Sequence, residues 1–429
     1  MRIIIAPIGN PLKLNLVKYK LDEFQEKSYS SLKIQAERYD MTFVLALDSL
    51  YNIDESKDSI FNEAYLGTIG KIRKNEMSNY EQIQKSIKEF VVEFGRKIGI
   101  TKEITPIVLP AQLNLESKSF GSPGDFLAIS LLKIWDFIKE SQVEEVSLDL
   151  SNGPNYTSAL SMKLMELLTD LILLKNPGAK TVVNSIYNAD PIASDEIDKL
   201  KTYEIRKVYK NISSRVNISY RSFIEGSKEV IGKNKKSEVD LKKLTSEFSN
   251  IVKNGIKCLY YNIPLAMIYL KNEYVEDEII LSEELLNLWE RNIVIKNGKF
   301  ERLLRLNPIN VFYLLIVETA FCNVPTDKNL NSVGKIAENI LSKVNESGKV
   351  IVNEEIKKIR ENIEEFKKWN GSKVFLKDIM DYDSGINNSI KPSKRILIAH
   401  AGLQREFVLV SKNGTIEYSI PFNEIIDNL

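Results

Sequence analysis

The chain holds one histidine, His400, and an arginine five positions before it, Arg395, in the run Lys394-Arg395-Ile396-Leu397-Ile398-Ala399-His400-Ala401-Gly402. An imidazole titrates near neutrality and moves a proton, while a guanidinium grips and neutralises a phosphate through paired hydrogen bonds. Together they suit phosphodiester transesterification, in which an RNA 2′-OH attacks its own 3′-phosphate and no metal is required. One imidazole cannot be general acid and general base at once, so a mechanism using both calls for two chains meeting at one site. The plainer reading is a core histidine with its hydrogen bonds satisfied, beside a surface arginine.

A second kind of chemistry is legible near the start. Two strand-like runs end in loops of small polar residues and glycine: Pro7-Ile8-Gly9-Asn10-Pro11, and Ser151-Asn152-Gly153-Pro154-Asn155-Tyr156-Thr157-Ser158, which opens a helix. In a parallel α/β sheet ligands bind beyond the C-terminal strand ends, where helix N-termini offer free N–H groups to phosphate. Glycine permits close backbone approach, hydroxyls and amides donate hydrogen bonds, and Tyr156 has a ring that can stack on a base. Neither loop fits GxGxxG or GxxxxGK[ST], so the dinucleotide and P-loop readings fail. Plain capping of the helix is the alternative.

The elements that must position these residues follow from periodicity. Strands are expected at Arg2 to Ala6, Thr42 to Leu47, Thr105 to Leu109, Glu145 to Leu150 and Thr181 to Ile186, with helices between them at Tyr80 to Ile98, Gly124 to Glu140 and Ala159 to Leu174. That alternation predicts a Rossmann-like parallel sheet with helices on both faces. Composition turns to Lys, Glu, Asn and Ser at about residues 195–256, read as a linker or inserted subdomain. Helices are then expected at Ile263 to Tyr269, Ser282 to Arg291, Pro308 to Phe321, Val333 to Val344 and Glu354 to Trp369, and Asn413-Gly414 predicts a small terminal β-hairpin. The division is 1–194 for ligand sensing, 195–256 between, and 257–429 as a mostly α-helical domain.

Composition narrows the class. The 429 residues are 43% hydrophobic and 27% charged, ordinary for a folded protein. The net charge is +1, so any nucleic-acid contact must be local. Two cysteines without CxxC spacing argue against a disulfide framework or a zinc site, and no ligand cluster implies a metal or cofactor. The apolar part of the N-terminus is too short for a signal peptide, and Val311 to Val324 is too short to span a bilayer, which points to the cytoplasm and no membrane partner.

The R-x4-H motif at Arg395 and His400, followed by Ala401-Gly402, resembles the HEPN ribonucleases. The segment Asp149-Leu150-Ser151-Asn152-Gly153-Pro154-Asn155 with the Pro7 to Pro11 loop resembles the CARF domain, which senses cyclic oligoadenylates. That order is similar to the CARF–HEPN ancillary ribonucleases of type III CRISPR systems. The resemblance implies a metal-independent endoribonuclease for antiviral defence, cleaving single-stranded RNA at a HEPN dimer site. It further implies activation by a cyclic oligoadenylate, taken as cyclic tetra-adenylate, on the two-fold axis of a homodimer or an assembly of dimers. By the same resemblance Arg395 and His400 are catalytic. Ile8, Gly9 and Asn10 form one ligand loop, Ser151, Asn152, Gly153, Asn155 and Thr157 the other, and Asn184 and Ser185 lie near a further strand end. Ile396 departs from the polar residue, often Asn, that follows the Arg in many relatives. Two other classes stay open: a ligand-sensing transcription regulator, which needs a basic recognition helix, and a nuclease that degrades the cyclic oligoadenylate itself.

Overall fold

The computed structural model describes residues 1–54, 59–74, 79–111, 114–115, 118–119, 122–178, 181–190, 202–217, 231–232, 239–274, 281–296, 299–366, 369, 372–380 and 391–429. Its first half is an eight-stranded sheet. In chain order the strands are β1 (Arg2–Pro7), β2 (Val17–Leu21), β3 (Phe24–Ser28), β4 (Met41–Leu47), β5 (Ile104–Leu109), β6 (Glu145–Asp149), β7 (Val182–Ala189) and β8 (Thr202–Ser213). The spatial order is β3-β2-β8-β7-β6-β1-β4-β5. The β7, β6, β1, β4 and β5 strands are mutually parallel, as the alternating pattern requires. β1 reads Arg-Ile-Ile-Ile-Ala-Pro and is buried from Ile3 onward, the continuous apolar run of a strand covered on both faces.

Two features of the sheet depart from the expected five strands. β2 and β3 form an antiparallel hairpin at one edge. β8 rises from within the stretch read as linker or inserted subdomain. It runs antiparallel to β7 from Ile205 to Ser213 and parallel to β2 only over Thr202–Glu204.

The covering helices begin where capping chemistry places them. Asn79 and Gln82 make a reciprocal capping box at the start of α2 (Tyr80–Lys97), after the short α1 (Leu32–Ala36). Ser122 and Asp125 do the same for α3 (Pro123–Ile138), where proline stands at the first helical position. α4 (Asn155–Lys175) follows the second loop directly.

The second half is mostly helical: α5 (Val239–Tyr260), α6 (Pro264–Tyr274), α7 (Leu281–Arg291), α8 (Pro308–Cys322), α9 (Leu330–Ile336), α10 (Glu346–Glu365), α11 (Lys394–Ala399) and α12 (Phe422–Asp427). α8 is apolar nearly all round and packs on α3 and α4 of the first half and on α5 of the second. It is the shared spine of one continuous apolar core. The terminal hairpin, Val408–Val410 with Ile416–Tyr418, forms as Asn413-Gly414 predicts, with Gly414 at φ +81°, and a further strand, Val374–Phe375, joins it.

A hairpin between α7 and α8, β9 (Ile293–Lys296) with β10 (Lys299–Arg302), folds back onto the first half. The Arg302 guanidinium forms a buried ion pair with Asp48 at the end of β4, and Tyr80 donates to that carboxylate at 3.1 Å. The Leu306 N–H donates to Asp125 at 2.9 Å, and Lys133 pairs with Glu290 at 2.8 Å. No helix among the described residues is long and apolar enough to cross a membrane.

Candidate active site and ligand crevice

The two glycine-bearing loops meet. Gly9 N–H donates to the Asn152 carbonyl at 2.8 Å, and the buried Ile8 is tied through its N–H to Leu45 at 3.0 Å. Asn10 uses its side chain to cap the turn Pro11–Lys13, accepting from Leu12 N–H at 2.9 Å. A Cβ on Gly153 would lie 2.8 Å from Pro7 Cγ and 2.9 Å from Pro7 Cβ. Glycine is therefore required there so that one loop can close on the other. Thr157 is buried and donates to the Pro154 carbonyl at 2.7 Å, a bond back to the residue before the helix that leaves no hydroxyl proton for a ligand. Tyr156 packs edge-on to Phe126, with ring centres 6.4 Å apart, while Asn155 is exposed.

Beneath the loops lies a polar network that sequence reasoning missed in part. Asn152 Nδ2 donates to Ser30 Oγ at 2.9 Å and Ser31 Oγ at 2.8 Å. Ser31 Oγ and Ser151 Oγ donate to the two oxygens of Asp149, and Ser151 Oγ accepts from Ala189 N–H at 2.9 Å. Burial pushes the Asp149 carboxyl up, opposed by these serine hydrogen bonds. The only hint of Ser30 and Ser31 in the sequence is a serine cluster before a short helix.

Asn184 and Ser185 are not brought to these two loops. Their register sets them level with Val146 and Ser147, short of Asp149 where the loops begin. Asn184 accepts from Thr169 at 2.8 Å and lines a cavity of about 540 Å³ with Asp170. Ser185 is fully buried.

The second site is built at the two ends of α11. Arg395 stands in its first turn, exposed and with no partner among the described residues. His400 is the residue on which the helix ends, at φ −114°. On an ideal helix five residues span about 140° of rotation and about 7.5 Å of rise, which sets the two Cα positions on different sides of α11. The helix is closed by Gly402 N–H bonding back to Leu397 at 2.7 Å, with Ala401 in the left-handed region at φ +51°. That conformation costs an alanine about 1–2 kcal/mol. Gly402 is itself at φ +77°, and a Cβ there would overlap Ile263. The shoulder beside His400 is thus fixed by tight packing.

The residue absent from the sequence reading is Glu355, in the middle of α10. Its Oε2 lies 3.2 Å from His400 Nδ1, and Lys358 Nζ lies 3.4 Å from its other oxygen. The two facing atoms are at ion-pair distance without the alignment of a formed hydrogen bond, and neither has a hydrogen-bond partner elsewhere among the described residues. Glu355 is 4% exposed. Burial alone would push its carboxyl up, but the His400 imidazole and the Lys358 ammonium outweigh this and hold it below the usual carboxylate range. The His400 side chain is 30% exposed, and with Nδ1 turned to Glu355 its Nε2 is the nitrogen left for a substrate. A buried carboxylate behind an imidazole fixes ring orientation and tautomer, as in hydrolytic triads.

Comparison with known proteins finds two family matches. Residues 3–191 match the CARF domain of CRISPR system endoribonuclease Csx1, and residues 345–421 match the HEPN domain of CRISPR system endoribonuclease Csx1. A curated CRISPR system endoribonuclease Csx1 from Methanocaldococcus jannaschii is 24% identical over 451 aligned residues, covering 97% of this chain and 89% of the relative. The first match contains both glycine-bearing loops, and the second contains Glu355, Arg395 and His400.

Proposed function

The chain belongs to the CARF–HEPN ribonucleases of CRISPR systems, and from that premise we propose that it is a metal-independent endoribonuclease switched on by a cyclic oligoadenylate, taken as cyclic tetra-adenylate. The observation that carries the chemistry is the chain's one imidazole, backed at Nδ1 by buried Glu355 and ending the helix that carries Arg395 in its first turn. In the proposed reaction His400 Nε2 takes the proton of an RNA 2′-OH. The 2′-oxygen then bonds to the adjacent phosphorus, the P–O5′ bond breaks, and the leaving oxygen is protonated by a second imidazole. The products are a 2′,3′-cyclic phosphate and a 5′-hydroxyl. Arg395 neutralises the charge that builds on the equatorial oxygens. With one imidazole per chain, the composite site takes residues from two chains, and a ring ligand at the Gly9 and Gly153 loops suits the same two-fold axis.

The test is cleavage of single-stranded RNA in EDTA, with and without cyclic tetra-adenylate. Arg395→Ala and His400→Ala are each expected to abolish cleavage with folding and activator affinity kept. Full activity in either variant, or a strict need for Mg²⁺ or Mn²⁺, refutes the assignment. When wild-type and His400→Ala chains are mixed, activity should follow the square of the wild-type fraction. A linear fall removes the shared site.

A further inference from the structure

The last turn of α5 and the corner after it press against both elements that carry the catalytic motif. Asn262 adopts the left-handed conformation at φ +58° and packs on Gly348 in the first turn of α10, where a Cβ would overlap it. Gly348 is seven positions before Glu355, about 10 Å along the helix. Ile263 fills the space against Gly402, two residues past His400. On the other side Lys394, the neighbour of Arg395, donates to the Tyr261 hydroxyl at 2.9 Å, with its Nζ 4.6 Å from the ring centre. Tyr260 stands edge-on to Tyr261, ring centres 5.0 Å apart at 80°, and is 44% exposed.

The same corner gathers positive charge. Lys257, one turn before Tyr260, donates to the Ile426 carbonyl at 3.0 Å. Burial lowers its pKa, and repulsion from Lys253 and Lys394 adds to that, with Asp427 opposing. In a chain whose net charge is only +1, the exposed Lys394, which also donates to the Leu429 carbonyl, stands beside Tyr261 and next to the exposed Arg395, a local cationic surface with an aromatic face, while Lys257 is itself buried.

We propose that Tyr260 and Tyr261, with Lys394, form a base-stacking subsite for the single-stranded RNA substrate, flanking the bond that is cut. The inference rests on the assignment of Arg395 and His400 to RNA cleavage. Every base has a π-face, so an exposed tyrosine beside an ammonium group holds single strands with little regard to sequence, the ring taking the base and Lys394 the phosphate. The subsite therefore contributes affinity and register more than base preference.

The test uses the full chain and a fluorescein-labelled single-stranded RNA with 2′-O-methyl riboses, which 2′-OH attack cannot cut, read by anisotropy. Tyr260→Ala is expected to raise Kd about tenfold, while Tyr260→Phe and Tyr260→Trp bind as tyrosine does. In cleavage of ordinary RNA, Tyr260→Ala should raise KM by the same factor and leave kcat at saturating RNA within about twofold, since a uniform binding interaction is lost. Unchanged Kd and KM in Tyr260→Ala overturn the subsite, and so does an equal loss in Tyr260→Phe. Probe binding does not pass through His400, so a failure here and a failure of the cleavage assignment are read in different experiments.

Discussion

Glu355→Gln tests the imidazole geometry most directly, because it keeps the shape of the side chain and removes its charge. A carboxylate oxygen 3.2 Å from Nδ1 attracts an imidazolium by about 5 kcal/mol at an effective dielectric of ~20. That is a ceiling, since the imidazole is 30% exposed and water screens it. With no aligned hydrogen bond formed, what remains is the screened attraction, about 1–1.5 kcal/mol as the effective dielectric approaches that of water, and a neutral amide loses it. That loss predicts a kcat roughly tenfold lower for Glu355→Gln, and Glu355→Ala should approach a hundredfold. KM should stay within about twofold, because Glu355 acts through His400 and does not reach the substrate. Single-turnover cleavage at saturating activator is the assay, with thermal melting alongside. The carboxyl is held below its ordinary pKa, so its contribution to stability is present above the unfolded value and is lost as pH falls through the folded one. The melting difference between wild type and Glu355→Gln should therefore shrink below about pH 4. An unchanged kcat, or a kcat loss that only tracks a lowered melting temperature, refutes the orienting role.

Gly153→Ala drives a Cβ to within 2.9 Å of Pro7; we expect a stability loss of about 1–3 kcal/mol and weaker cyclic tetra-adenylate binding by calorimetry, with cleavage restored at saturating activator. Arg302→Met leaves Asp48 buried without its ion-pair partner and should lower stability by about 3–5 kcal/mol in denaturant unfolding, with Asp48→Asn in the same chain recovering part of it. Burial raises the Asp170 carboxyl to about 7, so above its unfolded pKa the folded state carries a cost that grows as pH rises. Asp170→Asn should therefore be more stable than wild type, by a margin growing at most about 1.4 kcal/mol per pH unit from about pH 4 to 7 and level above it, read as melting temperature against pH.

The central strands were legible because Ile and Val runs such as β1 declare burial on both faces, and α2 and α3 because apolar residues recur along them at three- and four-residue steps. The β2–β3 hairpin was not, since its turn uses Asp22 at φ +53° where a glycine would have signalled it. Nor was β8, whose residues 206–212 are exposed and polar enough to pass for a loop; its pairing with β7 makes it a strand, a long-range fact. Arg395, His400 and the two glycine loops could be picked out because each is a local pattern. Glu355 lies 45 positions before His400 and Ser31 lies 121 before Asn152, so only the fold brings each pair together. Asn184 and Ser185 were placed one half-strand too high, because strand composition does not reveal where a register begins.

Arg302, Leu306 and Glu290 keep their buried or half-buried partners on Asp48, Asp125 and Lys133, more than 150 positions earlier in the chain. What is inherited together is consequently discontinuous. A recombination that joined the sensor of one relative to the nuclease of another at residues 195–256 would separate each carboxylate from the cation or amide it evolved against. It would also detach α7 from the α2 and α3 surfaces it covers through Tyr80 and Trp289. Viable exchanges must carry 281–306 with the first half as a second crossover, so lineages should swap specificity by substitution within the crevice far more readily than by trading whole halves.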